Sequence, residues 1–396
     1  MRSKKVRIVL LIALLCWAHS FNTFAAAETL REGARGDSVT QLKIRLFDLG
    51  YIRSLKNASD KYTADTLDKV RRFQALNGLA QTGEADPQTM EKMHSNLAVK
   101  APLPEDRPTY NIEPDRVPDI IPEDMPVTDD SGYLAQGSSP YVYKNRQAGY
   151  WHYLSDRMRV VITRFYQAEG QIEWFEAHIT YRDSGKPFSA ELGKSGTRLA
   201  SPLKLAQDAG AVFAINDDFY RFRVVNEQRT GIVVRDREVK ADRTYRQNRS
   251  RIPSLEVLAM FEDGTFKTFA SDAYTAKEYI DMGVTDTWAF GPALVQEGEV
   301  PRYFYSEDYR TYREPRTAVG MVGPGEYCAL VITGRTPGSR GATFGWMAEK
   351  MHAMGAREAL NLDGGGTVAL VFLGELLNKP ENSQKSRAVS GMIAFK

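Results

Sequence analysis

A proline- and acid-rich stretch between residues 98 and 140 divides the chain into two parts. Eight of the 18 prolines lie between Pro102 and Pro140, and nine acidic residues lie between Glu105 and Asp130. Proline removes backbone donors and like charges repel, so this stretch favours an extended linker over a packed element. We therefore expect a small domain before the linker and a large domain, residues 141–396, after it.

Composition excludes several classes of function. Lys and Arg total 52 and Asp and Glu total 50, so the net charge is only +2. This balance argues against a nucleic-acid partner bound through phosphate contacts. The two cysteines, Cys16 and Cys328, are too few for a disulfide scaffold or a thiolate-rich zinc site.

The N-terminus has the order of segments that is typical of a secretory signal. Four basic residues, the last of them Arg7, precede an apolar run of 11 residues from Ile8 to Ala18, and Ala25-Ala26-Ala27 follows. The run is too short to span a bilayer comfortably. We expect residues 1–27 to be a signal peptide, whose removal takes the net charge from +2 to −2 and leaves an exported protein without a transmembrane segment. An uncleaved anchor is the alternative.

Residues 30–97 predict a small module of three helices. Apolar residues recur at helical spacing and are bounded by capping residues and glycines. The predicted helices run from the N-cap candidates Asp37 and Ser38 to Gly50, from about residue 63 to Leu76, and onward from Asp86-Pro87.

The amino-acid sequence of this module also follows a recognisable pattern. LREGARGDSVTQLKIRLFDLGY followed by TADTLDKVRRFQALNGLAQTGEADPQTM resembles the peptidoglycan-binding module of many bacterial cell-wall enzymes. The matching positions are Gly33, Gly36, Val39, Leu49, Gly50, Tyr51, Phe73, Gln74, Asn77, Gly78, Leu79, Thr82 and Gly83. The resemblance implies a non-catalytic anchor to peptidoglycan or another wall glycan. Taken alone, most of these residues are the core and turns of a helical bundle.

The large domain is predicted to be α+β: a strand-rich mixed domain with few helices, preceded by the small three-helix module. Apolar and β-branched runs such as RMRVVITRFYQ, RTAVGMVG and YCALVITG are separated by Gly, Asp and Asn, and EDGTF is a hairpin signal. Helices are predicted around residues 201–209, 275–282 and 343–354. Strands and helices do not alternate as a doubly wound sheet would need.

Four polar breaks interrupt these strands. They are Asn216 to Asp218, Arg316-Thr317, Thr333 to Arg335 and Asn361 to Thr367. Polar side chains at strand ends can converge on one pocket, glycines let a backbone approach an anion, and arginines offer planar forks to phosphate. Each break taken alone is an ordinary turn or surface ion pair.

In order, these segments resemble the phosphodiester glycosidase family, which includes the enzyme that uncovers mannose 6-phosphate on lysosomal proteins. The matching segments are Asn216 to Tyr220, Gly291 to Val295, Arg316 to Gly320, Gly334-Arg335 with Ser339 and Gly341, Ala359 to Thr367, and Asn378 to Pro380. The resemblance implies hydrolysis of a sugar-1-phosphodiester at the anomeric carbon. Two positions depart from the family: Asp217 replaces a glycine, and Thr333 replaces a frequent aspartate.

The chemistry that the resemblance implies assigns roles to specific residues. The leaving phosphate ester needs its charge held, and the sugar develops oxocarbenium character that a carboxylate can stabilise. Asp363 is the leading catalytic carboxylate, Asp218 the second, and Asn216 orients substrate or water. The candidate substrate- and phosphate-binding residues are Arg316, Thr317, Arg335, Asn361, Gly364, Gly365, Gly366 and Thr367.

No cofactor or bound metal is expected, and the partner is a phosphorylated carbohydrate. All five histidines lie outside the motifs, which disfavours zinc, while a divalent cation at Asp363 or Asp218 stays open. Two other functions also stay open. The large domain could bind phosphorylated wall or exopolysaccharide glycan without cleaving it, or it could cut the P–O bond rather than the C–O bond.

Overall fold

The two parts of the chain cluster separately in the computed structural model, as residues 1–103 and residues 104–396. The structure describes residues 29–52, 59–95, 97–102, 108–118, 122, 124–183, 185–191, 199–218, 230–244, 255–305, 312–378 and 386–396. The expected signal peptide lies outside the described residues, and so do Phe219, Tyr220, Lys379 and Pro380 of the family motifs.

Six α-helices are described. They are α1 (Asp37–Asp48), α2 (Ala64–Leu76), α3 (Pro87–His94), α4 (Pro202–Asp208), α5 (Ala276–Asp281) and α6 (Phe344–Ala353). In the described part of the chain, none of the helices combines the length and the apolar character that a membrane crossing requires.

Eighteen strands are described, all in the larger unit. They are β1 (Tyr141–Asn145), β2 (Tyr150–Leu154), β3 (Met158–Gln167), β4 (Ile172–Tyr181), β5 (Phe188–Glu191), β6 (Phe213–Asn216), β7 (Gly231–Arg235), β8 (Glu238–Arg243), β9 (Glu256–Phe261), β10 (Phe266–Phe269), β11 (Val284–Phe290), β12 (Ala293–Val295), β13 (Arg316–Gly323), β14 (Glu326–Ile332), β15 (Glu358–Asn361), β16 (Leu370–Phe372), β17 (Glu375–Leu376) and β18 (Gly391–Phe395).

The smaller unit confirms the prediction of three helices. Val39, Leu46 and Phe73 are fully buried in its core, as helical spacing requires. The start of α1 differs from expectation, because Gly36 is the N-cap and makes no side-chain cap bond, while Asp37 lies in the first turn. Gln74 is also fully buried, and its amide joins α2 to the following loop through Gly83 N and Glu84 O, at 2.8 and 2.9 Å.

Two large antiparallel sheets build the larger unit. The first has eight strands in the order β1-β2-β3-β4-β14-β13-β15-β12, and the second has five, β17-β16-β6-β18-β5. A three-stranded sheet, β10-β9-β11, and the β7-β8 hairpin complete it. The strand-rich α+β fold with few helices is therefore confirmed.

The main core lies where one face of the eight-stranded sheet packs against the smaller sheets. Val160, Phe175 and Leu360 come from the large sheet, and Ile215 and Trp288 face them from β6 and β11. The alternating apolar pattern of the strands puts these side chains on one face. The opposite face of the large sheet is covered by α6.

Part of the proline-rich segment packs against the larger unit. The carbonyl of Asn111 accepts from Trp346 Nε1 at 2.8 Å and from Gln167 Nε2 at 3.1 Å. Further on, the amide of Asp115 donates to Tyr166 O at 2.9 Å, which fixes this segment beside the end of β3. Residues 108–118 are thus an extended strap on the sheet, held by backbone hydrogen bonds that proline does not remove.

The strands that sequence reasoning missed are short or atypical. β15, with the sequence EALN, has helix-forming residues and follows α6 after only a turn. It is nevertheless a strand because β13 and β12 flank it in the sheet. Tertiary pairing here overrides local propensity.

A buried histidine makes the larger unit sensitive to acid. His152 on β2 is 4% exposed, between the rings of Tyr141 and Tyr150. Burial, with a smaller effect of Arg159, lowers the pKa of His152 to about 4. Because the unfolded chain binds this proton more readily, the contribution is full above pH 6.5 and is lost as the pH falls toward 4.

We predict that His152→Phe reduces this pH dependence. The free energy of unfolding of the wild-type protein should fall by about 3 kcal/mol more between pH 7 and pH 4 than that of the variant, at 1.36 kcal/mol per pKa unit. Urea unfolding followed by tryptophan fluorescence measures it. The exposed His352 on α6 supplies the control, His352→Phe. Equal slopes for His152→Phe and wild type would contradict the assignment.

Candidate active site

The polar breaks meet at one end of the sheets. Asn216 ends β6, Arg316 begins β13, and Asn361 ends β15. Because β13 and β15 are antiparallel neighbours, the start of one lies beside the end of the other. The five-stranded sheet brings Asn216 to the same place from the opposite side of the core.

The side chain of Asn216 joins three segments. Its Oδ1 accepts from Thr317 Oγ1 at 2.6 Å and from Ala369 N at 3.0 Å, and its Nδ2 donates to Asp363 O at 2.8 Å. Asn216 and Thr317 are fully buried. Asn216 therefore positions Thr317 and the Asp363 turn, and its amide is committed to protein partners.

The carboxylate of Asp363 is held by its own turn. Oδ1 accepts from Gly364 N at 2.9 Å, and Oδ2 accepts from Thr367 Oγ1 at 2.8 Å. The backbone amide of Asp363 also donates to Asp217 O at 3.3 Å. Asp363 is half-buried, so its orientation is fixed while it keeps contact with solvent.

The three glycines allow close packing from three directions. A Cβ on Gly364 would lie 2.6 Å from the carbonyl oxygen of Pro315. Gly365 has φ +62°, and its Cβ would lie 3.3 Å from Arg335 Nη1. A Cβ on Gly366 would lie 3.1 Å from Arg387 Nη2. Two guanidinium groups thus lie directly on this turn, which we call the glycine turn, residues 363–367.

Arg387 is the residue that sequence reasoning missed. It stands in SRAVSG, just before β18, and its backbone amide donates to Gly366 O at 3.2 Å. The side chain is exposed, and a lone arginine before a short apolar strand carries no recognisable motif. Only its packing against Gly366 places it at the site.

Two backbone amides of the glycine turn donate to acceptors within the protein. Gly364 N donates to Asp363 Oδ1, and Gly365 N donates to Pro315 O at 3.0 Å. The sequence predicts that the amides of Gly364 to Gly366 contribute to phosphate binding, and this stays a prediction. The glycines also permit the approach of arginine side chains, which carry full charges.

Arg335 and Arg316 lie in different environments. Arg335 is 42% exposed, and its Nε pairs with Glu314 Oε2 at 2.6 Å. Arg316 is buried, donates from Nε to Ala342 O at 3.0 Å, and lies 3.6 Å over the Phe344 ring. Burial, opposed by the Glu314 carboxylate and assisted by the Arg335 charge, lowers the pKa of Arg316 to about 10. Arg316 is held by the segment from Ala342 to Phe344. Arg335 is the arginine that lies on the glycine turn.

Asp218 belongs to a buried ion-pair network. Its Oδ1 accepts from Arg235 Nη2 at 2.8 Å, and its Oδ2 accepts from Ala289 N at 2.7 Å. Arg235 also pairs with Glu191 at 2.9 Å and lies 3.8 Å from Asp217 Oδ2. Burial alone would lower the pKa of Arg235, but these carboxylates raise it above its usual value. Asp217, the departure from the family, is thus placed beside a cation.

The side chain of Asn361 makes its hydrogen bond to a segment other than the glycine turn. Its Nδ2 donates to Gly291 O at 2.8 Å, which ties β15 to the segment before β12. Among the described residues, no partner is found for its Oδ1, although Asn361 is 1% exposed. Within the same described ranges, no cluster of three His, Cys, Asp or Glu side chains is arranged to hold a metal ion.

Thr333, the second departure, lies beside a carboxylate. Its Oγ1 donates to Glu173 Oε2 at 3.0 Å, and its backbone amide donates to Glu173 O at 3.0 Å. Ser339 closes the following turn by donating from Oγ to Thr333 O at 2.8 Å. Glu173 was not a candidate from the sequence, because it stands in an ordinary strand start.

Comparison with known families decides what these segments are. Residues 209–396 match the family model described as "Phosphodiester glycosidase". The resemblance to that family is confirmed. Residues 35–93 match the model of a peptidoglycan binding domain, so two different family models match separate parts of the chain. The phosphodiester glycosidase match contains the residues of the glycine turn, Asn216, Asp218 and Arg387.

Individual relatives are distant. The SPbeta prophage-derived uncharacterized protein YomE of Bacillus subtilis (strain 168) is 26% identical over 200 residues, which is 50% of this chain and 30% of that protein. This chain therefore spans under a third of that relative's length. The catalytic domain of zebrafish N-acetylglucosamine-1-phosphodiester alpha-N-acetylglucosaminidase, auto-inhibited by its pro-peptide, superposes with a TM-score of 0.46 at 16% identity, covering 60% of this chain and 82% of that one. A hypothetical protein from Synechocystis superposes with a TM-score of 0.40 at 13% identity, covering 65% and 71%.

We predict that Asn216→Ala destabilises the larger unit by about 3 kcal/mol. The substitution leaves a hydroxyl, an amide and a carbonyl without their partner in a buried place, at about 1–3 kcal/mol for each unsatisfied group before relaxation. Urea unfolding at pH 7 measures the change. Asn111→Ala is the control, because that exposed side chain bonds to the surface residue Glu169. A loss of less than 1 kcal/mol would show that Asn216 does not hold these segments together.

Proposed function

We propose that the larger unit hydrolyses a sugar-1-phosphodiester, such as a GlcNAc-1-phosphodiester, at the anomeric carbon. The products are the free sugar and a phosphomonoester. The observation that carries this proposal is the glycine turn, where one fixed carboxylate, Asp363, lies beside two guanidinium groups, Arg335 and Arg387. The match to the phosphodiester glycosidase model supports it.

The two arginines stabilise the negative charge of the leaving group. When the bond between the anomeric carbon and its oxygen breaks, the electron pair stays on the phosphate ester. Guanidinium groups hold such charge through paired N–H donors, and this interaction strengthens as the charge develops. A phosphate ester is a weak base, so it leaves without a general acid.

Asp363 stabilises the positive charge that develops on the sugar. The anomeric carbon becomes positive as the leaving group departs, and a carboxylate at that point lowers the energy of the transition state. The oxygen of a water molecule then bonds to this carbon, and Asp363 accepts the proton that the water loses. The bonds from Gly364 N and Thr367 Oγ1 keep the carboxylate in one orientation throughout.

Asp218 has a positioning role in this proposal. Both of its oxygens accept hydrogen bonds inside the protein, and its charge is balanced by Arg235. Removing one partner of a buried pair is strongly destabilising. The network holds the chain that follows β6, and through Asp217 O it supports the backbone of Asp363.

We further propose that the protein acts outside the cytoplasm, at a bacterial cell wall. The peptidoglycan-binding match gives the smaller unit an anchoring role, and residues 1–27 have the pattern of an export signal. An anchor of this kind would concentrate the hydrolase on wall-linked phosphorylated glycans.

We predict that Asp363→Asn keeps the fold and lowers kcat about 10²–10⁴-fold. The amide oxygen of the variant can accept from Gly364 N, and its NH2 can donate to Thr367 Oγ1, whose own proton can go to Gly364 O. The amide cannot supply the charge of the carboxylate. Purified residues 28–396 are offered a GlcNAc-1-phosphodiester and, separately, a plain O-glycoside of the same sugar. Released sugar is measured, and thermal unfolding checks the fold. Asp208→Asn, an exposed aspartate paired with Lys204, is the control.

Four results would contradict this prediction or the proposed function in different ways. Unchanged turnover by Asp363→Asn removes Asp363 from the mechanism. Sugar release from the O-glycoside alone excludes a phosphodiester substrate. Hydrolysis in ¹⁸O-labelled water that puts the label into phosphate shows P–O cleavage, and binding of the phosphodiester without any product shows a glycan-binding protein.

We predict that Arg335→Gln and Arg387→Gln each lower kcat/KM about 10- to 100-fold on the phosphodiester. A hydrogen bond to a charged group contributes about 1.5–3 kcal/mol. Gly366→Ala should resemble Arg387→Gln, because the new methyl group would displace that guanidinium. Steady-state kinetics measure the effect. Arg237→Gln, at an exposed arginine paired with Glu262, is the control and should match wild type. If all four variants have the kinetics of the wild type, Arg335 and Arg387 do not hold the phosphate.

A further inference from the structure

We propose that a cavity at the same end of the eight-stranded sheet is a second binding subsite, which takes a neighbouring phosphorylated sugar unit of a polymeric substrate. This inference rests on the proposed function and adds the substrate class. The cavity has a volume of about 690 Å³. The lining residues that matter for binding are Asp115, Arg116, Gln147, Arg164, Tyr166 and Glu173.

The acidic residues of the cavity already have protein partners. Asp115 Oδ2 accepts from Ala168 N at 2.8 Å, and Glu173 Oε2 accepts from Thr333 Oγ1 at 3.0 Å. These carboxylates are therefore held at the wall by donors. Their bonds fix the shape of the cavity and reduce their capacity to repel an anion.

The cationic residues of the cavity keep donors for a ligand. Arg116 is exposed, and Arg164 uses Nη2 to donate to Gln147 O at 3.3 Å. A guanidinium has five N–H donors, so one bond leaves most of them for a phosphate. Tyr166 is 43% exposed and presents an aromatic surface beside them. A cation beside an exposed ring suits a sugar phosphate, whose ring is partly apolar and whose phosphate is charged.

Hydrogen bonds along the end of the sheet connect the wall of the cavity to the candidate active site. Glu173, the second residue of β4, bonds to Thr333, which follows β14, and two residues later Arg335 lies on the glycine turn. From β4 to β15 there are three strand spacings, about 14 Å in all. One hexose 1-phosphate is shorter than this. A substrate that reaches both places must therefore contain a further unit.

Two arginines, Arg313 and Arg340, lie at the turn between β3 and β4, next to the wall of the cavity. Arg313 Nη1 donates to Gly170 O at 2.7 Å, and the backbone amide of Arg340 donates to Gln171 O at 2.8 Å. Burial lowers the pKa of Arg313, and the nearby charge of Arg340 lowers it further. Like charges this close favour a polyanion across them, which argues for repeated phosphates rather than a neutral glycan.

Two matched substrates test the subsite. The short one is a GlcNAc-1-phosphodiester of a small alcohol, and the long one carries a second glycosyl phosphate on the leaving side. We expect the full chain to have a higher kcat/KM on the long substrate. Arg164→Gln and Tyr166→Ala should each lower the ratio of long to short kcat/KM about tenfold. Arg159→Gln, at an exposed arginine on the other face of β3, should keep both the ratio and the activity.

The outcomes separate the two proposals. Cleavage of the short substrate with no preference for the long one, or an equal loss on both substrates in the two variants, overturns the subsite and leaves the hydrolase. If neither substrate is cleaved, the proposed function fails, and calorimetry then compares binding of the two compounds. Tighter binding of the long compound that Arg164→Gln removes still supports the subsite. Equal binding by wild type and variant overturns it.

Discussion

The buried amide of Asn216 is the constraint on which the rest of the site depends. It is fully buried, and its three shortest hydrogen bonds reach the distant residues Thr317, Asp363 and Ala369. Inside a protein, such polar bonds are strong when complete and costly when broken. One side chain therefore links the end of the five-stranded sheet to β13 and to the turn that carries Asp363, the proposed catalytic carboxylate.

Charged side chains of both signs lie on the two sides of this point. On the inner side, Glu191, Asp217 and Asp218 surround the buried Arg235, which offsets part of their charge. On the outer side, Arg335 and Arg387 lie on the glycine turn next to Asp363. In the proposed function, these outer arginines supply the positive field that a phosphate meets.

Both departures from the family pattern have a neighbour that accounts for them. Asp217 stands where a glycine is usual, and Arg235 lies 3.8 Å from its carboxylate. Thr333 stands where an aspartate is frequent, and the Glu173 carboxylate accepts its hydroxyl proton. A negative charge is thus present near residue 333 in this chain as well, although a different strand supplies it.

Local pattern was enough to predict most elements and the positions of the polar breaks. Alternation in RTAVGMVG and helical spacing before Gly355 depend on near neighbours, and β13 and α6 follow them. The sequence by itself determined the three-helix module and the strand-rich domain, and it singled out Asp363 and Arg335 as candidate site residues. Only the tertiary structure decided that EALN is a strand, that Arg387 covers Gly366 and that Asp218 belongs to Arg235. The reason is physical: those outcomes depend on partners far away in sequence, whose approach is set by sheet pairing and packing and leaves no periodic signal in the chain.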